Sequence, residues 1–178
     1  RVRLTYFDDP KRKYAHRLDL VHNGNCWIGV NPNLANDIVA AAIAANHCLP
    51  ELNNQALQRE VRYHDRSRVD FFHDDGGMKT FVEVKSVTYA DDEGVGYFPD
   101  AVSKRATQHL RALQAMITEG HRAVVVYCVQ RADIQVVKSA KHIDPQYSDA
   151  VDEAKHHGVE FITLPIGFDV DGDAVRLS

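Results

Sequence analysis

The run Arg68-Val-Asp70-Phe-Phe-His-Asp-Asp-Gly76-Gly77-Met-Lys-Thr-Phe-Val-Glu83-Val84-Lys85 sets two carboxylates and a lysine on either side of a Gly-Gly pair. Two strand-like runs around such a pair predict a hairpin. Centred on Gly76 and Gly77, the hairpin places Asp70 opposite Glu83 and Arg68 opposite Lys85. Strand side chains alternate between faces, so Arg68, Asp70, Phe72, Phe81, Glu83 and Lys85 are expected on one face. Val69, Phe71, Val82 and Val84 are expected on the other, a core face that a one-residue slip would scramble. Opposed residues have Cβ atoms about 5 Å apart, and like charges there repel. A lysine, an arginine, a proton or a divalent cation must compensate. Two carboxylates with a backbone carbonyl and water form a hard-oxygen site suited to Mg²⁺ or Mn²⁺. Lys85 leans over the same site, where an ammonium steadies a phosphate or positions an attacking water. The plainer reading is a surface hairpin whose charges neutralise one another.

Basic residues flank this hairpin. Residues 59–68 hold Arg59, Arg62, Arg66 and Arg68 with the acids Glu60 and Asp65, and residues 103–111 hold Lys104, Arg105 and Arg111 with no acid. Basic clusters beside a metal-type site suit a phosphodiester ligand; solvated charged faces are the alternative. The chain of 178 residues carries a net charge of −4, which excludes a globally basic nucleic-acid binder. The deficit is local. Residues 1–132 carry 17 basic and 16 acidic side chains, against 4 and 9 in residues 133–178.

The elements that must position these groups follow from periodicity. Residues 2–7 and 13–30 alternate like strands around Asp8-Asp9-Pro10, and an Ala-rich helix with Asn33 as N-cap runs to about His47. Strands are expected at 57–63, 68–73 and 80–89, and a loop at 90–99. A helix capped by Asp100 runs to Glu119 and stops at Gly120. The continuous apolar run 124–130 reads as a strand buried on both faces. A helix at 147–157, a strand at 159–164 and a hairpin around Asp171-Gly172 complete the chain. The order predicts an α/β or α+β domain with a mixed sheet. Cys26, Cys48 and Cys128 form no CxxC, so reduced thiols, a cytosolic setting and no zinc are expected. The first 17 residues are too charged for a signal peptide, and no apolar run would span a membrane.

Three further motifs carry weaker signals. Asp169-Val-Asp171-Gly-Asp173 begins like a calcium loop but lacks the closing glutamate and reads as a polar turn. His156-His157 suits a helix C-terminus. Tyr97-Phe98-Pro99-Asp100 offers either stacking surfaces for bases or a hydrophobic plug.

Asp70 followed by Glu83-Val84-Lys85 resembles the D…ExK pattern of the PD-(D/E)xK nuclease core. The wider text, including KRKYAHRLDL, GVNPNLAN, LQREVRYHDRSRVDF, FVEVKSVT, GYFPDAVSKRATQHLRAL, EGHRAVVVYCVQ and KHIDPQYSDAVDEAKHHGVEF, resembles the sugar fermentation stimulation protein A (SfsA) family from about Lys11 to Phe161. The resemblance implies the end of an N-terminal OB-like β domain in residues 1–20 and a restriction-endonuclease-like domain in residues 21–178. It implies Asp70, Glu83 and the Val84 carbonyl as ligands of Mg²⁺ or Mn²⁺, and Lys85 as catalytic lysine. Glu60 or Asp37 would be a further acidic member, or neither. Gln108 and His109 sit where such nucleases place polar site residues, and join Arg59, Arg62, Arg66, Arg68, Lys104, Arg105 and Arg111 as a nucleic-acid-binding set. The family is associated with DNA binding and with regulation of sugar, notably maltose, metabolism. The expected partner is therefore DNA, with no membrane and with a homodimer allowed. A non-catalytic DNA-binding transcriptional regulator on the same fold is the alternative.

Overall fold

The computed structural model describes residues 1–52, 57–64, 67–170 and 174–177. Three strands open the chain: β1 (Val2–Tyr6), β2 (His16–His22) and β3 (Trp27–Gly29), joined as an antiparallel sheet in that order. The division expected at residue 20 falls inside β2, and the small sheet continues to Gly29. Helix α1 (Pro32–Ala44) follows. Its cap is Asn31 rather than Asn33. The Asn31 side chain accepts from the Asn33 N–H at 3.1 Å, and Pro32 takes the first helical position, where no N–H is needed.

The main sheet has six strands in the order β12-β11-β9-β6-β5-β4. These are β4 (Gln58–Arg62), β5 (Arg68–His73), β6 (Thr80–Val87), β9 (Arg122–Val129), β11 (Glu160–Asp169) and β12 (Ala174–Leu177). β6, β9 and β11 are parallel neighbours, while β4–β5, β5–β6 and β11–β12 pair antiparallel. The parallel pairs need crossovers, supplied by α2 (Lys104–Thr118) and α3 (Pro145–His156). Both pack on one face of the sheet, with α1 on the other. Val125, Tyr127 and Val129 thus meet Leu110, Leu113 and Val151, while Val124, Val126 and Cys128 meet Ile38, Val39 and Ile43. That double burial is why β9 reads as an unbroken apolar run. All three cysteines are free thiols.

Several boundaries move for physical reasons. Ser103, not Asp100, caps α2: its hydroxyl accepts from the Ala106 N–H at 3.2 Å, at the start of the buried stripe Ala106, His109, Leu110, Leu113, Met116. The helix expected from Tyr147 starts at Pro145, with the Asp144 carboxylate accepting from the Tyr147 N–H at 3.0 Å. The loop expected at 90–99 contains structure. β7 (Tyr89–Ala90), β8 (Val95–Phe98) and β10 (Val136–Ser139) form a second three-stranded sheet in the order β10-β8-β7. Gly96 hid β8 in the sequence: a Cβ there would stand 2.8 Å from Ile134, so close packing requires the residue that most weakens a strand signal. The Asp171-Gly172 turn lies outside the described residues, but the flanking strands pair as a hairpin requires, Phe168 with Val175.

Candidate metal centre

The register predicted from Gly76-Gly77 is present: Phe71 pairs with Val82, Phe72 with Phe81 and His73 with Thr80. One step on, a side chain links the strands. The Val84 N–H donates to Asp70 Oδ2 at 2.7 Å. The β4–β5 ladder keeps one register but skips Glu60 and Asp70. Arg59 pairs with Phe71 and Val61 with Val69, and between them Glu60 has φ of 55°. A non-glycine residue held in that region costs on the order of 1–3 kcal/mol, a cost met mostly at functional sites.

The expected division of faces holds for Phe72 and Phe81 on the α2/α3 side and for Phe71, Val82 and Val84 on the α1 side, and fails at Val69. Arg59 reaches α1, where it pairs with Asp37 at 2.9 Å, whereas Val61 and Val69 pack with the α2/α3 cluster and Phe71 with the α1 cluster. Val69 and Phe71 therefore do not share a face. Nor is there one core face with a charged face opposite. Both sides of β6 are covered, so Glu83 and Lys85 are buried at 3% and 9% exposure. The surface-hairpin reading fails with them.

Glu83 is the hub. Its Oε1 accepts from Lys85 Nζ at 2.6 Å and makes a short contact with His109 Nδ1 on α2. Its Oε2 is buried with no hydrogen-bond partner among the described residues. Asp70 lies between α1 and β6: Oδ1 accepts from Asn36 Nδ2 at 2.9 Å, and Oδ2 takes the Val84 N–H. Arg105 Nε donates to His109 Nε2 at 3.3 Å, which places the imidazole proton on Nδ1, where it is donated to Glu83. Lys85 Nζ also lies 5.9 Å from the Phe98 ring centroid.

The two carboxylates are driven apart electrostatically. Burial and the neighbouring Glu83 charge raise the Asp70 carboxyl above its ordinary 3.8, against the Val84 N–H, Asn36 and Lys85. Burial also pushes Glu83 upward, but the Lys85 ammonium and the His109 hydrogen bond outweigh it, so its carboxyl lies below the ordinary 4.5. Tyr63 is held well above a normal phenol, by burial and then by Glu83 and Asp70.

Two adjoining cavities open here. The narrower, about 210 Å³, is lined by Asp70, Glu83, Val84, Lys85, Phe98 and Ser103 among others. The wider, about 760 Å³, is lined by Arg62, Ser67 and Gln108, and Glu60, Arg68, Arg105 and His109 border both. The structure thus brings together Glu60, Arg62, Arg68, Arg105, Gln108 and His109 from the expected set. It does not bring in Arg59, held by Asp37, and Lys104 and Arg111 are exposed on α2 outside both cavities. Arg66 lies outside the described residues. Asp37 faces solvent, so the α1 residue that touches Asp70 is its neighbour Asn36. Asn36 was findable, since it lies three and seven residues before Val39 and Ile43 on the buried stripe of α1. Phe98 and Tyr97 divide: Phe98 packs inward on Tyr127 and Tyr147, while Tyr97 turns outward to His142 and Asp91.

The donor set fits a hard divalent cation in part. Glu83 Oε2 is a buried carboxylate oxygen without a partner, each Asp70 oxygen has one donor and a spare lone pair, and every available donor is oxygen. Among the described residues no three His, Cys, Asp or Glu gather as one metal cluster, so Glu60 does not close a third acidic position. Carbonyl, water or substrate oxygens would complete the shell.

A family profile described as the sugar fermentation stimulation protein RE domain matches residues 33–172. A sugar fermentation stimulation protein homolog of Thioalkalivibrio sulfidiphilus is 45% identical over 163 residues, covering 91% of this chain and 69% of its own length. One of Pseudoalteromonas atlantica is 46% identical over 166 residues, covering 90% and 70%. Among solved structures, that of Pyrococcus furiosus SfsA in complex with Ca²⁺ superposes with a TM-score of 0.86 at 22% identity, covering 99% of this chain and 74% of the other. The fold is shared with that structure, and by profile and relatives alike the chain belongs to the sugar fermentation stimulation protein family.

Proposed function

We propose that this chain is a divalent-metal-dependent, nuclease-type phosphodiesterase acting on DNA, with the β5–β6 carboxylates as its metal ligands. The observation that carries the reading is the partnerless, buried Glu83 Oε2 beside Asp70, in a cavity that opens into an arginine-bordered one. The PD-(D/E)xK resemblance and the Ca²⁺ in the Pyrococcus furiosus SfsA structure support it. Asp70 and Glu83 would hold the ion, with Mg²⁺ or Mn²⁺ as working metal. Once bound, the ion supplies Lewis-acid charge to a phosphate oxygen and acidifies a water. The chain's own residues do the rest. Arg62, Arg68 and Arg105 hold backbone phosphates in the wider cavity, as Arg forks suit phosphate oxygens. Lys85, fixed by Glu83 and Phe98, is placed to steady the scissile phosphate or position the attacking water. The burial of Glu83 and Lys85 strengthens their part in these interactions. A cytoplasmic setting gives access to DNA, through which the family's effect on sugar metabolism would be exerted.

The test is cleavage of single-stranded, double-stranded and branched DNA with Mg²⁺ or Mn²⁺, wild type against Lys85→Ala. We expect metal-dependent cleavage by wild type and a loss of about 10²–10⁴-fold in the variant. Intact DNA in every combination overturns the enzyme reading. One observation favours a second reading, a DNA-binding regulator without cleavage: Lys85 already pairs with Glu83 without an ion, and His109 adds a hydrogen bond. It requires salt-sensitive DNA binding that Asp70→Ala leaves unchanged.

A further inference from the structure

His109 lines both cavities, yet it is only 8% exposed and both its ring nitrogens are engaged within the protein. Arg105 Nε–H occupies Nε2, so the ring cannot offer a proton there, and Nδ1–H points at Glu83 Oε1. Lys85 takes the same oxygen from the other side. With both donors on Oε1, the carboxylate is clamped at one end and presents Oε2, its partnerless end. A carboxylate gripped at one oxygen by a lysine alone swings on that contact. Two donors from different elements, β6 and α2, fix its plane.

We propose that His109 is a positioning residue of the metal centre, orienting Glu83 so that Oε2 faces the ion, with Arg105 fixing the tautomer that makes this possible. This rests on the metal-site reading above and assigns His109 to the ion rather than to the nucleic acid. It makes Arg105 the link between the two cavities, since its remaining guanidinium nitrogens are left for a phosphate while Nε holds the imidazole. A phosphate in the wider cavity and an ion in the narrower one would then be sensed through one line of groups: Arg105, His109, Glu83.

The test is calorimetric titration of the full chain with Ca²⁺ and with Mn²⁺, without nucleic acid, on wild type, His109→Asn, His109→Gln and His109→Leu. The nitrogen of an Asn side chain overlies Nδ1 and keeps a donor on Glu83. That of Gln overlies Nε2 and meets Arg105 instead. Leu fills the space with no donor. Loss of such a supporting hydrogen bond typically weakens metal affinity by about 10–100-fold. We therefore expect Leu and Gln to lose about that much and Asn to stay within about threefold of wild type. Arg105→Gln should lose less, since Nδ1–H is then favoured but no longer enforced. Thermal unfolding of each variant without metal guards against misfolding, and Asn against Gln remains decisive if Leu does not fold. Equal losses for Asn and Gln would assign His109 to packing, and equal affinity in all variants would remove it from the site; either overturns the inference while leaving the metal centre standing. Wild type that takes up neither ion overturns the metal reading itself.

Discussion

The parallel strands β6, β9 and β11 carry a charged cluster near each end, and the two clusters are built to opposite specifications. At one end Arg122 makes a bidentate pair with Glu160, at 2.7 Å through both Nε and Nη2, and its Nη1 meets Glu51. The two glutamates are about half exposed, and every guanidinium nitrogen is used. At the other end Glu83 is almost fully buried, with two donors on one oxygen and none on the other. The first cluster is closed and water tops up whatever it lacks. The second has a spare valence in a place where water is scarce. Ion pairs by themselves say little about function; a buried charge left half-satisfied does, because its desolvation is not repaid within the fold.

The contrast breaks most sharply on removing one carboxylate from each end. Glu83→Gln should abolish measurable divalent binding and destabilise the protein by about 3–5 kcal/mol, since Lys85 keeps a buried charge without its partner. Glu160→Gln, at the surface, should cost no more than about 1 kcal/mol and leave metal affinity untouched. Urea denaturation and metal titration of both variants measure this. Similar stability losses at the two ends would show that burial does not set the energy of the Glu83 cluster.

Acid should act on the two ends with opposite sign. Asp70 has its carboxyl raised above 3.8 by burial and by Glu83, so the fold favours its neutral form. Its ionisation is a penalty at neutral pH that relaxes as pH falls through the raised value, and metal affinity falls over the same range because protons compete with the ion. Glu51 is the reverse. Burial pushes its carboxyl up, but the Arg122 hydrogen bond, a backbone hydrogen bond and the Arg122 charge together outweigh this and hold it below 4.5. Its stabilising effect is present above 4.5 and is lost as pH falls through the lower, folded value. Metal affinity should thus decline at a pH where Arg122 still keeps an ionised Glu51. Denaturation midpoints against pH for wild type, Asp70→Asn and Glu51→Gln test the signs. A steeper acid loss of stability in Asp70→Asn than in wild type fits this order; identical profiles would sink it.

The sequence carried the hairpin register and the buried centre of the sheet because both rest on local patterns: a Gly-Gly turn fixes pairing, and an apolar run fixes double burial. It misplaced what depends on the third dimension. Val69 and Phe71 alternate perfectly on paper, but Glu60 at positive φ turns the paired strands so that they face opposite cores. β8 was lost to Gly96, whose absence of a side chain is a packing requirement and looks like a turn signal. Asp70, Glu83 and Lys85 stand out by residue type, whereas His109 is placed by resemblance in the nucleic-acid-binding set, because its contact with Glu83 exists only once α2 lies on β6. Asn36 shares the buried stripe of α1, but only its contact with Asp70 sets it apart from its acidic neighbour Asp37.

Asn36 sets the smallest effect, and the finest distinction between the two ends. Its side-chain amide donates one neutral-to-charged hydrogen bond to Asp70 Oδ1, while its backbone carbonyl accepts from Arg59 Nη2 at 3.5 Å. Asn36→Ala removes the amide donor and leaves the backbone in a helix that tolerates alanine well. Asp70 then keeps the Val84 N–H on Oδ2, so it is still oriented but less restrained, and its ionised form loses one stabilising partner. Stability should fall by about 1–2 kcal/mol, the usual contribution of a hydrogen bond to a charged group less what alanine's better helix propensity returns. Metal affinity should fall only a few-fold, because the ion itself can replace the lost donor as the positive partner of Oδ1. That compensation is what the closed cluster cannot offer: Glu51→Gln should change stability slightly, and added Ca²⁺ should stabilise it as much as wild type, leaving that difference unchanged. If Ca²⁺ stabilises both proteins, and Asn36→Ala by less only to the extent of its few-fold weaker affinity, the spare valence at this end belongs to a metal. If Ca²⁺ stabilises neither protein, it belongs to the fold alone.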